Sequence, residues 1–483
     1  MRRSVVIAVV IALGTALGGS GNCGSSTTAT FAIEPEVALA GVRRMGVNLG
    51  TWTTWGAEQL MANVLKNPGF EGIIDRTMVI VKRADQRSFS DDSTWLGRPD
   101  GFWIGARYDI RTGRSSGQGG SIADSRQSGR DGLPQFMVDG EAPMLARGDV
   151  VTLTRVSDAE LPTQWWIPED SRGFVSTDGH ERRPESPGVR ALALTPTATR
   201  SAAIIVYLDA IGDRAGKLLP VTGRWQLSFW SRLAGGHGTL AVQFRRHGSR
   251  PFLSQVIAPT GEWTHTQQEF VGEDIGPAGI LELEFRTSET DARILLDDVV
   301  LGPLQATPFP FRQEVVEVLS QLRPGYLRDW QGQLGDTWTN RLAEPFGRRA
   351  SRYRPGGPEA TDFGYSLPDF LDLCRRVGAS PWIVAPTTFA DEEWLALGRY
   401  LTKREATDRF EEILVEFGNE NWNAVFRPAG IPEPGAHGQV TDRAFQKIRE
   451  GARASLPLRM GSMANTPIPR MLCRSLPTLE AQT

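Results

Sequence analysis

The run Ile413-Leu414-Val415-Glu416-Phe417-Gly418-Asn419-Glu420-Asn421-Trp422-Asn423 constrains this chain more than any other stretch. A short apolar body stops at a glycine, and a carboxylate, three carboxamides and an indole follow at once. Such a body suits a strand buried in a parallel sheet, and parallel α/β barrels present chemistry at the C-terminal ends of these strands. The same residues also suit a strand running into a solvated turn, because Gly and Asn are ordinary turn residues. The rest of the chain decides between the two.

At 483 residues the chain exceeds what one hydrophobic core usually organises, so two domains are expected. A formal net charge of -3 gives no polycationic footprint, which argues against nucleic acid as a partner. The 52 Gly, 31 Pro and 14 Trp suit a loop-rich secreted protein with exposed aromatic platforms. Arg2 and Arg3 precede an apolar stretch, Val5 to Leu17, that is too short to span a bilayer comfortably. With the Gly/Ser/Thr-rich segment after it, residues 1–30 read as a signal peptide and low-complexity linker. The expected location is secreted or periplasmic. Cys23 offers a lipid anchor, although Asn22 is not the small residue that lipoprotein processing prefers. No later segment has the length and apolarity of a membrane helix. Cys23, Cys374 and Cys473 make no disulfide framework, and Cys374 falls on the apolar face of an expected helix as a packed thiol. The five His lack metal-ligand spacing.

Residues 41–61 hold a short strand, Gly46-Val47-Asn48-Leu49-Gly50, that ends in polar and aromatic residues. From 62 to 303 the pattern changes to short alternating runs such as Leu240-Ala241-Val242-Gln243-Phe244 and Ile280-Leu281-Glu282-Leu283-Glu284-Phe285. Period-two alternation between Gly, Pro and Asp turns predicts an all-β sandwich, with the polar stretch Asp85 to Arg130 as a long surface excursion. From 304 to 483 strands and helices alternate. Expected helices are Phe311–Leu322, Leu367–Val377, Asp391–Leu401 and Thr441–Ala454; expected strands centre on Leu327, Ile383, Val415 and Met460. With Val47 as the first strand, this is an α/β fold, a partial TIM barrel into which the sandwich is inserted. The span 304–483 is too short for the roughly 250 residues of an eight-stranded barrel, so three strand–helix units are missing from this reading.

The first strand, Leu327-Arg328-Asp329-Trp330 and Glu416-Phe417-Gly418-Asn419-Glu420 resemble clan A glycoside hydrolases, and within them the α-L-arabinofuranosidase family. The resemblance implies that Glu420 is the general acid/base, that Asn419 binds the hydroxyl at sugar carbon 2, and that Arg328 is the arginine closing the second strand. Asp329-Trp330-Gln331-Gly332 departs from the aromatic-Pro-Gly-Gly that follows this arginine in the family, which leaves the sugar open. Asn67-Pro68-Gly69-Phe70-Glu71 and Ile294-Leu295-Leu296-Asp297-Asp298-Val299-Val300-Leu301 resemble the opening and closing strands of carbohydrate-binding jelly-roll modules. That likeness implies a structural calcium, with Glu71 and Asp297 or Asp298 as oxygen ligands. The alternative is that Asp297-Asp298 caps an edge strand. No cofactor is expected for catalysis.

Retaining hydrolysis needs two carboxyl groups about 5–5.5 Å apart. Glu416 shares a strand with Glu420, but four residues at roughly 3.3 Å each put it about 13 Å away, so it belongs lower in the barrel. Asp329 is expected to pair with sugar or with Arg328; Asp336 and Glu392 read as loop and helix-start residues. The family's nucleophile closes a seventh strand, so the expectation is little or no turnover by this chain and hydrolysis of furanosidic side chains by a longer parent. Sugar contacts are expected from Asn48, Trp52, Arg328, Trp330, Thr387, Asn419, Trp422 and His437, with core packing the competing role for each Trp. Three readings result: an extracellular hydrolase of arabinose-containing plant polysaccharide, a clan A glycosidase of another specificity, or a non-catalytic carbohydrate-binding protein.

Overall fold

The computed structural model describes residues 45–50, 60–94, 98–129, 131–141, 143–158, 165–211, 214–288, 291–330, 335–351, 364–421 and 429–462. The signal peptide, Cys23, Trp52 and Trp422 lie outside the described residues. Among the described residues, no helix is long and apolar enough to cross a membrane.

After β1 (Gly46–Leu49) come six strands: β2 (Ile73–Ala84), β3 (Ser88–Asp91), β4 (Arg107–Ile110), β5 (Gly119–Arg126), β6 (Gln135–Val138) and β7 (Val150–Ser157). They pair antiparallel in the order β2-β3-β6-β5-β4-β7, and β7 returns to β2. The sheet is therefore a closed six-stranded barrel, filled by Val79, Phe89, Trp103, Tyr108, Phe136 and Leu153 among others. This corrects the expectation for Asp85 to Arg130, which supplies three of the six strands and not a surface excursion. Its strands are short, and Phe89, Tyr108 and Ile122 each bring only a little apolar area inward. Closure joins those contributions and removes the open edges that such short strands would otherwise leave.

The sandwich begins later than expected. Its strands are β8 (Trp165–Trp166), β9 (Val175–Asp178), β10 (Ala191–Leu194), β11 (Ala202–Leu208), β14 (Thr222–Gly235), β15 (Leu240–Arg246), β16 (Leu253–Ile257), β17 (Thr264–Glu273), β18 (Leu281–Thr287) and β19 (Arg293–Pro303), with the ribbon β12 (Ala210–Ile211) and β13 (Arg214–Ala215) beside them. Two antiparallel sheets, β17-β14-β19-β10-β9 and β16-β15-β18-β11-β8, face each other across Leu192, Ile204, Trp225, Phe229, Phe244, Leu283, Phe285 and Leu296. The segment before the barrel also belongs here. Val64 donates to Leu301 at 2.9 Å and Val299 donates to Pro68 at 2.9 Å, so the opening and closing motifs lie side by side. The 62–303 span thus holds two β units where the pattern suggested one.

The remaining elements are α1 (Gln313–Leu322), β20 (Tyr326–Asp329), α2 (Trp338–Leu342), β21 (Ala350–Ser351), α3 (Leu367–Val377), β22 (Ser380–Ala385), α4 (Asp391–Asp408), β23 (Ile413–Phe417), α5 (Pro434–Gly451) and β24 (Leu458–Gly461). Five strands form a wholly parallel sheet in the order β1-β20-β22-β23-β24. These are the strands read from the sequence. α3 matches its expected bounds because its ends are written locally: Ser366 and Asp369 form a reciprocal capping box, and Gly378 stops the helix at φ 72°. α5 starts well before the expected Thr441. Pro434 at its first turn and Glu433, whose side chain accepts from the Ala436 amide, start a helix that Gly435 and Gly438 disguise.

Alternation along the strands gives this sheet two unlike faces. Leu327, Ile383, Val415 and Phe417 pack with Phe370, Leu373, Trp394, Leu397 and Phe445 of the helices. Asn48, Arg328, Trp382 and Glu416 take the other face. The barrel reaches the C-terminal end of the sheet through Arg76 of β2. Its guanidinium meets the Glu393 carboxylate at 2.9 and 2.6 Å and the Asp336 carbonyl at 2.9 Å, while Glu393 caps α4 through the Ala390 amide. β21 pairs in parallel with β2, a second tie between the barrel and the α/β unit.

Candidate functional site

Register places the polar cluster. Asn48 lies opposite Arg328 and Arg328 opposite Trp382, so three neighbouring strands present these side chains on one face at one level. Glu416, opposite Val384, comes from the fourth strand. Arg328 donates through Nε and Nη2 to Glu416 Oε2 at 2.9 and 2.7 Å, through Nη2 to Asn419 Oδ1 at 2.8 Å, and through Nη1 to Asn48 Oδ1 at 3.3 Å. Trp382 Nε1 donates to the same Glu416 oxygen at 2.8 Å, and the indole lies 5.4 Å from the Arg328 guanidinium carbon. Burial pushes the Glu416 carboxyl up, opposed by the charge and hydrogen bonds of Arg328 and the Trp382 bond. Its second oxygen is buried without a hydrogen-bond partner. Glu416 is thus a buried anchor for Arg328, below the strand ends.

Beyond β23 the chain turns sharply. Gly418 has φ +64° and donates to the Ala385 carbonyl at 2.9 Å; a Cβ there would collide with the Asn421 side chain. Only glycine makes this turn without strain. Asn419 is buried against Arg328, and Glu420, partly exposed, has φ +47°. A left-handed backbone at a carboxylic acid is uncommon and costs about 1–2 kcal/mol. Such strain collects where neighbouring structure over-determines a turn.

The structure therefore brings together Asn48, Arg328 and Asn419 and sets Glu420 next to them in the chain. Trp330 follows β20 and is half-buried. Other expected residues lie elsewhere. His437 is a correction: it is buried on α5 with its ring edge-on to Phe417, 5.5 Å between centroids, and not open to a sugar. Burial lowers its imidazole from 6.5 to about 4. Thr387 is buried and donates to the Ala429 carbonyl at 2.6 Å. Asp329 pairs with Arg341 and accepts from the Tyr365 hydroxyl at 3.2 Å, not with Arg328. Strand alternation explains this: Asp329 and Arg328 point to opposite faces. Asp336, read as a loop residue, is fully buried, and burial pushes its carboxyl up to about 6. Cys374 is buried and free, as a packed thiol.

Among the described residues no group of three or more His, Cys, Asp or Glu gathers as a metal site. The expected calcium ligands divide. Asp298 is engaged by Arg183 and accepts from Ser186 Oγ at 2.9 Å, which removes it from the donor set. Glu71 and Asp297 each keep one buried oxygen without a hydrogen-bond partner. Burial raises the Glu71 carboxyl to about 7, and burial together with the neighbouring Asp298 raises Asp297.

One surface escaped the sequence reading. Trp166 lies opposite Ile205 and Tyr207 opposite Glu282, so both aromatics project from the outer face of the β16-β15-β18-β11-β8 sheet, 52% and 40% exposed. Glu282 beside them accepts from Arg245 at 2.8 Å and contacts His247 Nε2 at 2.6 Å. The tandem Trp165-Trp166, one indole inward and one outward, is the signal that could have found it. A separate cavity of about 610 Å³, between residues 61–68, 303–310 and 345–349, shares no lining residue with the Arg328 cluster.

No family model and no curated protein matches the chain. Solved structures do. An arabinose-bound GH51 α-L-arabinofuranosidase, MgGH51, is 16% identical with a TM-score of 0.45, over 63% of this chain and 53% of that one. The α-L-arabinofuranosidase of Thermotoga maritima in complex with arabinose is 14% identical with a TM-score of 0.29, over 36% of this chain and 38% of that one. The CBM22-1 xylan-binding domain of Paenibacillus barcinonensis Xyn10C is 18% identical with a TM-score of 0.20, over 30% of this chain and 92% of that one. The chain spans about half the length of the first of these.

Proposed function

We propose that this chain is a carbohydrate-active protein whose α/β unit carries a glycosidase-type sugar site of a partial TIM barrel, with Glu420 as general acid/base and Asn419 and Arg328 as sugar ligands. The observation that carries the reading is Arg328. From the second strand it reaches Asn419 beyond the fourth and Asn48 on the first. Strand ends of a parallel sheet are thereby tied into one polar patch at the place where such folds do chemistry. Arabinofuranosyl linkages in plant polysaccharide are the substrate class, by the sequence resemblance. Protonated Glu420 would donate to the leaving oxygen, and Asn419 would bind the neighbouring hydroxyl. Glu416 and Asp329 are committed to Arg328 and to Arg341, so the attacking carboxylate of a retaining mechanism would come from outside the described residues. The test is calorimetric titration of the chain with L-arabinose. Binding that Asn419→Ala abolishes and Glu420→Gln preserves supports the reading; binding indifferent to both contradicts it.

A second reading assigns carbohydrate binding to the sandwich, and Trp166 and Tyr207 favour it, since exposed aromatics on one sheet face stack on sugar rings. Retention on insoluble xylan or arabinan that is lost in a Trp166→Ala/Tyr207→Ala double variant but kept in Glu420→Ala would support it. The same sandwich would hold a structural calcium through Glu71 and Asp297, where the cation would supply the charge these buried carboxyl groups lack.

A further inference from the structure

His437 and Asn421 have no place among the sugar ligands, yet both are buried and in contact with each other, and Asn421 is the residue after Glu420. The Asn421 amide nitrogen donates to the Phe417 carbonyl at 2.8 Å, so the residue after Glu420 is tied back to the last residue of β23. The same nitrogen lies 3.1 Å from His437 Nε2. A carboxamide nitrogen carries protons and no lone pair for bonding, so Nε2 is the acceptor. The imidazole is then neutral with its proton on Nδ1, which faces Thr441 Oγ1 at 3.5 Å, and Ser462 Oγ lies 3.4 Å from Nε2. Gly418 admits the Asn421 side chain over its backbone, and the Asn421 carbonyl accepts from the Ile431 amide at 3.0 Å. On the N-terminal side of Glu420 in the chain, Arg328 grips Asn419.

We propose that Asn421 and His437 form a clamp that holds Glu420 in its left-handed turn and so sets where its carboxyl projects. They are positioning residues, and their functional sense rests on the reading of Glu420 as the acid. A left-handed non-glycine residue relaxes when its anchors go, because only the surrounding bonds keep it there. Arg328 fixes one flank, and the clamp fixes the other. His437 supplies an acceptor at Nε2, a role that a glutamine amide oxygen can fill and an aliphatic side chain cannot.

The test compares the full-length chain with His437→Leu and His437→Gln, with Asn421→Ala as the substitute should His437→Leu not fold. Crystal structures are expected to show Glu420 out of the positive-φ region in His437→Leu and retained there in His437→Gln. An unchanged Glu420 backbone in His437→Leu overturns the clamp. The second arm uses N-bromoacetyl arabinofuranosylamine, a sugar-borne electrophile whose bromide a carboxylate oxygen displaces to form an ester. Labelling at Glu420, read by peptide mass spectrometry, is expected to slow about tenfold or more in His437→Leu, as small misplacements of a reacting group do, and to recover in His437→Gln. Equal labelling in His437→Leu and wild type overturns the positioning role. Absence of labelling at Glu420 in the wild type removes the acid assignment, and the crystallographic arm then decides the clamp by itself.

Discussion

At Arg328 one guanidinium meets three separate demands: it neutralises Glu416, orients Asn419 and reaches Asn48. Truncating it leaves a carboxylate that is 3% exposed without its countercharge. Breaking a buried pair from one side costs about 3–5 kcal/mol, whereas removing both charges costs far less. Arg328→Ala should therefore lower unfolding stability in urea by about that much, and Glu416→Gln in the Arg328→Ala background should recover part of it; an additive double variant would contradict the pairing. His437 gives a pH dependence. Its imidazole is held near 4 in the folded chain and titrates near 6.5 when unfolded, so between these values the unfolded chain binds the extra proton. Stability should fall as pH drops from about 6.5 to about 4, by up to about 3 kcal/mol, and this part of the slope should vanish in His437→Gln. Urea unfolding of both proteins at pH 7 and pH 5 checks it, and identical pH slopes would refute it.

Among the elements, the turn after β23 is the most sequence-determined. Gly418 accepts no Cβ, so Gly418→Ala should lose about 1–3 kcal/mol in urea unfolding and weaken arabinose binding, because Asn421 must give way. A neutral result would show that the turn is looser than its contacts imply. The five parallel strands and α3 were legible because their apolar bodies, capping box and terminal glycine are all local signals. The six-stranded barrel was not. Phe89, Tyr108 and Ile122 sit singly in polar surroundings, and only closure between β2 and β7 collects them into a core. Arg328, Asn419 and Asn48 could be nominated because each ends or follows a strand. His437 and Asp329 were misplaced, because a residue's depth and facing depend on packing that a strand end does not encode. Trp166 and Tyr207 went unread because outward aromatics on a two-residue strand and its neighbour leave little pattern.

Across the whole molecule, the barrel is fastened to the rim of the parallel sheet by Arg76 on Glu393, and the Val64–Leu301 and Val299–Pro68 bonds hold the segment before the barrel onto the sandwich. A cation bound by Glu71 and Asp297 would add to the sandwich. Those carboxyl groups hold their protons in the folded chain at pH values where the unfolded chain has lost them, so their burial costs stability as pH rises toward about 7 for Glu71 and about 9 for Asp297. Calcium, which competes with those protons, should raise Tm more at pH 8 than at pH 5, with chelator reversing the gain. Equal shifts at both pH values, or none, would remove the cation. The central claim concerns the sugar site, and a crystal structure of the full chain soaked with an arabino-oligosaccharide tests it most directly. A furanose ring bonded to Arg328 and Asn419, with the Glu420 carboxyl at a glycosidic oxygen, is the predicted result. A saccharide seated only on Trp166 and Tyr207, with Glu420 turned away from any sugar, would contradict it.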